Sequence, residues 1–165
     1  MTCVIQQIPV EQTLSLRREV LWPDMPLEKV KLPEDSDGWH FGAFLQDVEE
    51  PVAVISLFRD ALGPVPAVPE PGDSATGSTT ARFRKFACKI SHQGRGIGTA
   101  LLDYTLQFAR TELGAQTVWC DARTATSEWY EKRGLLPFGD RFYKGAVEYL
   151  RMRIDFSTSE TSLET

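Results

Sequence analysis

The chain has 165 residues, 42% of them hydrophobic and 25% charged, and a formal net charge of −5. That length and balance predict one globular domain with a substantial core. The acidic charge argues against nucleic acid as the main partner, and no apolar run nears the roughly 20 residues of a membrane span. The first residues, Met-Thr-Cys-Val-Ile-Gln-Gln, have neither a basic start nor an apolar stretch of the kind that directs export, which predicts a cytoplasmic protein. Cys3, Cys88 and Cys120 are far apart and form no C-x-x-C, so free thiols are expected, with no disulfide framework and no metal.

Residues 3–8 are rich in β-branched side chains and predict a first strand. Pro9 suits a helix start, and Val10, Leu14, Leu16, Val20 and Leu21 give the following helix an apolar side up to Pro23. Residues 22–33 hold three prolines and predict a loop with one short helix. The acidic run Glu34-Asp-Ser-Asp37 reads as a solvated turn. Residues 39–46 and 52–58 predict an antiparallel hairpin. Residues 61–80, mostly Gly, Pro, Ser, Thr and Ala, predict a mobile insertion between two strands, too polar to pack and too long for a tight turn.

Residues 81–89 predict a fourth strand, and 97–112 a largely buried helix with two apolar stripes stopped by Gly114. The apolar centre of 117–121 predicts a central fifth strand, parallel to the fourth across the helical crossover. A short helix over 124–133 ends at Gly134. Pro137-Phe-Gly-Asp140 predicts a turn, followed by strands near 141–143 and 147–154, and residues 157–165 form a polar tail.

Between the fourth strand and the long helix lies Gln93-Gly-Arg-Gly-Ile-Gly98. Three glycines in five positions let backbone N–H groups converge where a helix begins, with its unpaired donors and positive dipole end. That predicts an anion site suited to phosphate or pyrophosphate, with Arg95 adding charge at its rim. The dinucleotide fingerprint fails because Thr99 stands where its third glycine belongs, which disfavours a nucleotide-dependent oxidoreductase. The P-loop fails for want of Gly-Lys-Ser/Thr.

The loop instead resembles the Gln/Arg-x-x-Gly-x-Gly/Ala pyrophosphate loop of the GNAT superfamily of N-acetyltransferases, with Gln93, Gly96 and Gly98 in the defining positions. Trp129-Tyr-Glu-Lys-Arg-Gly-Leu135 resembles that family's Phe-Tyr-x-Lys-x-Gly-Phe helix, and residues 145–152 its last strand. The resemblance covers roughly residues 82–153 and implies one domain over 1–156. The implied fold is α/β (α+β): a single mixed, mostly antiparallel, twisted sheet of about seven strands with about four helices, splayed between strands 4 and 5.

It further implies an enzyme that moves an acetyl group from acetyl-CoA to a primary amine by direct attack in a ternary complex. The acceptor would be a small molecule or a peptide amine. A homodimer stays open, and no nucleic acid, membrane or metal is implicated. By position, the cofactor would meet Phe86, Ala87 and Cys88 on the strand, then Gln93, Gly94, Arg95, Gly96, Ile97, Gly98 and Thr99 in the loop. Arg123 and Thr126 stand where relatives have Asn and Ala, so the contacts there differ in kind. The Cys88 N–H would polarise the acetyl carbonyl, and Tyr130 would protonate or hydrogen-bond the coenzyme sulfur as general acid. Candidate bases are Glu148, where relatives commonly carry His, and His40; water is the third option. Two alternatives remain: a longer acyl-CoA as donor, and a coenzyme A-binding regulatory module without turnover.

Overall fold

The computed structural model describes residues 3–60 and 80–156. The expected insertion at 61–80, apart from Thr80, and the expected tail at 157–165 lie outside the described residues. Seven strands form one mixed sheet: β1 (Cys3–Ile8), β2 (Trp39–Leu45), β3 (Ala53–Arg59), β4 (Thr80–Cys88), β5 (Thr117–Arg123), β6 (Leu136–Lys144) and β7 (Val147–Asp155). Their order is β1-β2-β3-β4-β5-β7-β6. The β1–β2, β2–β3, β5–β7 and β6–β7 pairs are antiparallel. The β4–β5 pair is parallel, as expected, and its ladder consists of Thr80–Thr117, Ala81–Val118 and Arg82–Trp119. The α-helices are α1 (Leu14–Leu16), α2 (Ile97–Glu112) and α3 (Ser127–Glu131).

The described residues group into two compact units, drawn from Met1–Phe58 with Phe83–Phe108 and from Arg59–Arg82 with Ala109–Thr165. In the first, β2 and β3 alternate and bury both faces. One face carries Phe41, fully buried, whose ring meets Tyr104 and Phe108 of α2 edge-on at 5.4 and 4.9 Å. The other carries Ile8, Val54 and Ala87, packed with Leu16 of α1. At Gly42, between Ile8 and Phe44, a Cβ would lie 3.0 Å from the Ile8 side chain, so this close approach selects glycine.

The helical stretch before β2 departs from the expected single helix. Val10–Thr13 is a 3-10 turn, α1 lasts three residues, and Arg17–Leu21 is a π-helical turn. The acidic run departs further. Asp35 is 2% exposed and no solvated turn residue: it pairs with fully buried Arg17 through two bonds, Nη1 to Oδ2 at 2.7 Å and Nη2 to Oδ1 at 2.9 Å. Arg17 also donates to the Val30 carbonyl and to Ser56 Oγ, and the Leu32 N–H donates to Asp35 Oδ2. The reason is pairing: a carboxylate can leave water when a planar guanidinium and a backbone donor satisfy it.

In the second unit, β5 is central and nearly dry, with Val118, Trp119 and Cys120 at 0–2% exposure. The face that carries Trp119 also gathers charge, since Asp121, two residues on, accepts from Arg82 at 2.7 Å and from Arg151 at 3.1 Å. Both guanidiniums also lie over the Trp119 ring, at 4.6 and 4.7 Å from its centroid. The turn expected at 137–140 lies instead inside β6, where the register with β7 shifts between Phe138 and Phe142 and Gly139 has φ 75°. β6 is an edge strand, where a proline removes no needed ladder bond and a bulge absorbs the extra residues.

Arg17→Met leaves the Asp35 carboxylate buried and unpaired. The expected loss is about 3–5 kcal/mol of unfolding free energy by urea denaturation, with a large part regained in Arg17→Met/Asp35→Leu.

Candidate active site

The glycine loop forms as its sequence predicts. Gly94 and Gly96 have φ 80° and 84°, and a Cβ at either would meet nothing within 4 Å. Glycine is therefore selected by the left-handed backbone and not by crowding. The first α-helical bond runs from Ala100 N–H to the Gly96 carbonyl at 3.0 Å. The N–H groups of Ile97, Gly98 and Thr99 thus belong to the first turn, whose donors point out of the helix end. No acidic residue stands in that turn, and Arg95 is exposed beside it. The donor set fits a pyrophosphate.

Behind the loop, β4 ends at Cys88. Lys89 donates its N–H to the Val52 carbonyl beside β3, so by strand alternation the N–H groups of Phe86 and Cys88 turn away from β3. The Gln93 side-chain amide donates to the Cys88 carbonyl at 2.9 Å and ties the loop to the strand. Ala87 is buried in the core behind them. Burial pushes the Cys88 thiol pKa up, so it is a poor source of thiolate. One residue of β4 breaks the pleat: Lys85 has φ 55°. A long side chain in the left-handed region is uncommon and costs energy. Its ammonium sits 4.0 Å from the centroid of the Trp22 ring. Nothing in the sequence signalled this contact.

Tyr130, Arg123, Thr126 and Glu148 belong to the second unit. Tyr130 lies on α3, its ring edge-on to Trp129 at 5.1 Å. The Arg133 guanidinium covers the other aromatic, 3.8 Å from the Trp129 centroid. Burial, with the Cys120 thiol adding to it, pushes the Tyr130 phenol pKa far up, so its proton is firmly held. The Arg123 side chain is exposed, and Thr126 Oγ1 caps the Arg123 carbonyl at 2.9 Å. The Glu148 carboxylate bonds to Arg141 at 3.2 Å and to the Tyr143 hydroxyl at 3.3 Å.

His40 belongs to the network of Arg17 and Asp35. Its Nε2 lies 2.9 Å from the Asp35 carbonyl, and its Nδ1 lies 2.7 Å from Ser56 Oγ. A carbonyl only accepts, so Nε2 carries the proton and Nδ1 accepts from the serine hydroxyl, which in turn accepts from Arg17. Burial lowers the imidazole pKa, and the Arg17 charge adds to this against the raising effect of Asp35. Both ring nitrogens have partners inside the protein, which is the geometry of a structural histidine. Arg17, Asp35 and Ser56 were missed as polar core residues because their partners lie far off in sequence.

The comparisons fit this geometry. Residues 9–135 match the model of the acetyltransferase (GNAT) family. The chain belongs to this family. YitI of Bacillus subtilis (strain 168), described as an uncharacterized N-acetyltransferase, is 26% identical over 140 residues, covering 84% of this chain and 85% of its own. The fold is similar to that of Escherichia coli ElaA, with TM-score 0.69 and 15% identity over 93% of this chain and all of that one. It is also similar to a GNAT family acetyltransferase from Elizabethkingia anophelis with acetyl-CoA bound, with TM-score 0.63 and 13% identity over 93% of this chain and 98% of that one. This GNAT protein is accordingly an acyltransferase enzyme. No helix among the described residues is long and apolar enough to cross a membrane.

Two measurements check the geometry. Asn and Asp both tolerate the left-handed backbone of Gly96, but only Asp brings a negative charge to the anion site. Gly96→Asp is expected to bind acetyl-CoA at least about ten-fold more weakly than Gly96→Asn by calorimetry. The second concerns His40, whose folded pKa lies below the unfolded value near 6.5. Below that pH the unfolded chain binds the extra proton, so stability is full above about pH 6.5 and falls as pH drops, by at most about 1.4 kcal/mol per unit. Urea denaturation between about pH 5 and 8 should show this slope in the wild type and its loss in His40→Gln.

Proposed function

We propose that the protein transfers an acetyl group from acetyl-CoA to a primary amine by direct attack. The observation that carries this is the joined loop and strand: left-handed Gly94 and Gly96, the start of α2, and the Gln93 bond to Cys88. In this reading the donors from Gln93 to Thr99, with Arg95, hold the pyrophosphate, and the N–H groups of Phe86 and Cys88 receive the arm that carries the thioester. Acetyl-CoA supplies the activated acyl group. The Cys88 N–H donates to the carbonyl oxygen as negative charge gathers there. The amine nitrogen bonds the carbonyl carbon, the carbon–sulfur bond breaks, and the amine gives its surplus proton to water.

Tyr130 serves the sulfur. A thiolate of ordinary pKa near 8.5 does not easily take a proton from a phenol raised well above 10, so the hydroxyl acts first as a hydrogen-bond donor to the developing charge. Direct transfer is favoured over an acyl-cysteine because burial keeps the Cys88 thiol protonated. His40 is engaged at both nitrogens, and Glu148 is paired with Arg141 and Tyr143, so water is the proton acceptor in this reading.

Tyr130→Phe keeps the ring and removes the donor. Acetyl-CoA affinity should hold, while kcat with a good amine falls about 10²- to 10³-fold, measured by free thiol at saturating acetyl-CoA. Equal kcat in folded wild type and variant would remove Tyr130 from the chemistry, and absence of thiol release by the wild type across an amine panel would leave only a coenzyme-binding module.

A further inference from the structure

The two edge strands of the sheet are built in opposite ways. β6 carries several features that blunt an edge: Pro137, the register shift between Phe138 and Phe142, Gly139 at φ 75°, and the charged Asp140, Arg141 and Lys144. β1, at the other edge, has none of them. Its six residues, Cys-Val-Ile-Gln-Gln-Ile, include no charge, proline or glycine, and they pair with β2 in unbroken register from Cys3 to Ile8.

Strand alternation tells which backbone groups of β1 face outward. The Ala43 carbonyl accepts from Val52 N–H at 2.8 Å, so Ala43 turns its backbone groups toward β3. Gly42 and Phe44 therefore turn theirs toward β1, where they meet Gln6 and Val4. Cys3, Ile5 and Gln7 are left with N–H and C=O groups pointing away from β2, and no described strand lies on that side. Along this edge runs a cleft of about 410 Å³, lined in part by Val4, Gln6, Gln12, Phe44 and Val48. Val4 is 53% exposed and Val48 42%, so two large apolar side chains open into it.

Charge narrows what can cover such an edge. At −5 the protein repels its own copies over most of its surface, yet residues 1–10 hold no charged side chain. An uncharged strand meets no like charge when it pairs with itself.

We propose that β1 is a dimerisation strand whose partner is β1 of a second copy, antiparallel across a two-fold axis at Ile5. In that register Ile5 faces Ile5 of the partner subunit, and Cys3 faces Gln7 of the partner subunit. All three outward residues then exchange both of their backbone bonds. On the cleft side Val4 lies opposite Gln6 of the partner subunit, which covers the exposed valine. The contact is isologous and closes at two copies. Because β6 is blunted, no further copy adds at the other edge, and the product is a dimer and not a filament. The proposal is independent of the transferase reading.

The test uses the full chain in sedimentation equilibrium, then three variants. The wild type is expected to be dimeric at about 100 μM. Ile5→Lys sets two ammonium groups face to face across the axis and should weaken the dimer at least about ten-fold. Ile5→Pro removes an outward N–H and no bond to β2, so it should weaken the dimer likewise with an unchanged circular dichroism spectrum. Should that variant fail to fold, a cross-link replaces it. Ile5→Cys in a Cys3→Ser background puts two thiols across the axis at a Cα separation of about 5.5 Å, which a disulfide spans. Oxidation should then give a covalent dimer joined through position 5. A wild type that is monomeric at about 100 μM overturns the proposal. So does a dimer that Ile5→Lys leaves unchanged, or one that oxidation fails to join at position 5.

Discussion

The first compact unit depends on one buried ion pair. Arg17 and Asp35 have lost nearly all contact with water, and an isolated charge in that position would cost several kcal/mol. The two bonds between them, the Leu32 N–H, Ser56 and the Val30 carbonyl repay most of that cost. Burial alone would raise the Asp35 pKa; the Arg17 hydrogen bond, the Leu32 N–H and the Arg17 charge outweigh it and hold the carboxyl below its ordinary value. One Arg17 atom, Nε, has no partner, so the arrangement is not an optimum of stability. What it specifies is geometry. It joins a helical turn to the segment before β2, and through Ser56 and His40 it ties both to β3 and β2.

That geometry explains a helix that local propensity does not. Val10 to Leu21 has no proline or glycine and an apolar side, and such a sequence in isolation favours an ordinary α-helix. The protein gives it three different helical forms in twelve residues, and the π-helical turn begins at Arg17 itself. Tertiary bonding to a buried guanidinium has overridden propensity here. The consequence reaches Trp22, the residue whose N–H closes the turn.

The parts of the molecule legible in the sequence are those whose causes are short-range. Gly94, Gly96, Gly114 and Gly134 adopt positive φ where a loop or helix stop was expected, because each requirement is set by the immediate backbone. The buried stripes of α2 follow from period alone: Leu101, Leu102, Leu106 and Ala109 are at 0–7% exposure. Long-range causes were not legible. Asp35 looks like any turn carboxylate until Arg17, 18 residues away, is placed against it. Pro137 looks like a turn until β6 proves to be an edge strand. The φ of Lys85 has no local signature at all, since no residue around it is a glycine or an asparagine.

The same distinction applies to the catalytic candidates. His40 was attractive because of its intrinsic pKa, which is a property of the residue alone. Its environment removes that advantage: one nitrogen donates to a carbonyl, the other accepts from a hydroxyl, and burial disfavours the charged ring. Tyr130 is altered in the opposite sense. Burial makes its phenol a weaker acid yet leaves it a hydrogen-bond donor at any physiological pH. An oxyanion or a thiolate gains from a donor that does not ionise, so the desolvation that disqualifies an imidazole as a base suits a phenol to stabilising charge. In the proposed reaction the burden therefore falls on fixed dipoles, the N–H groups of β4 and α2. None of these must change protonation state during turnover, so the proposed transfer does not depend on the imidazole of His40, which is engaged at both nitrogens.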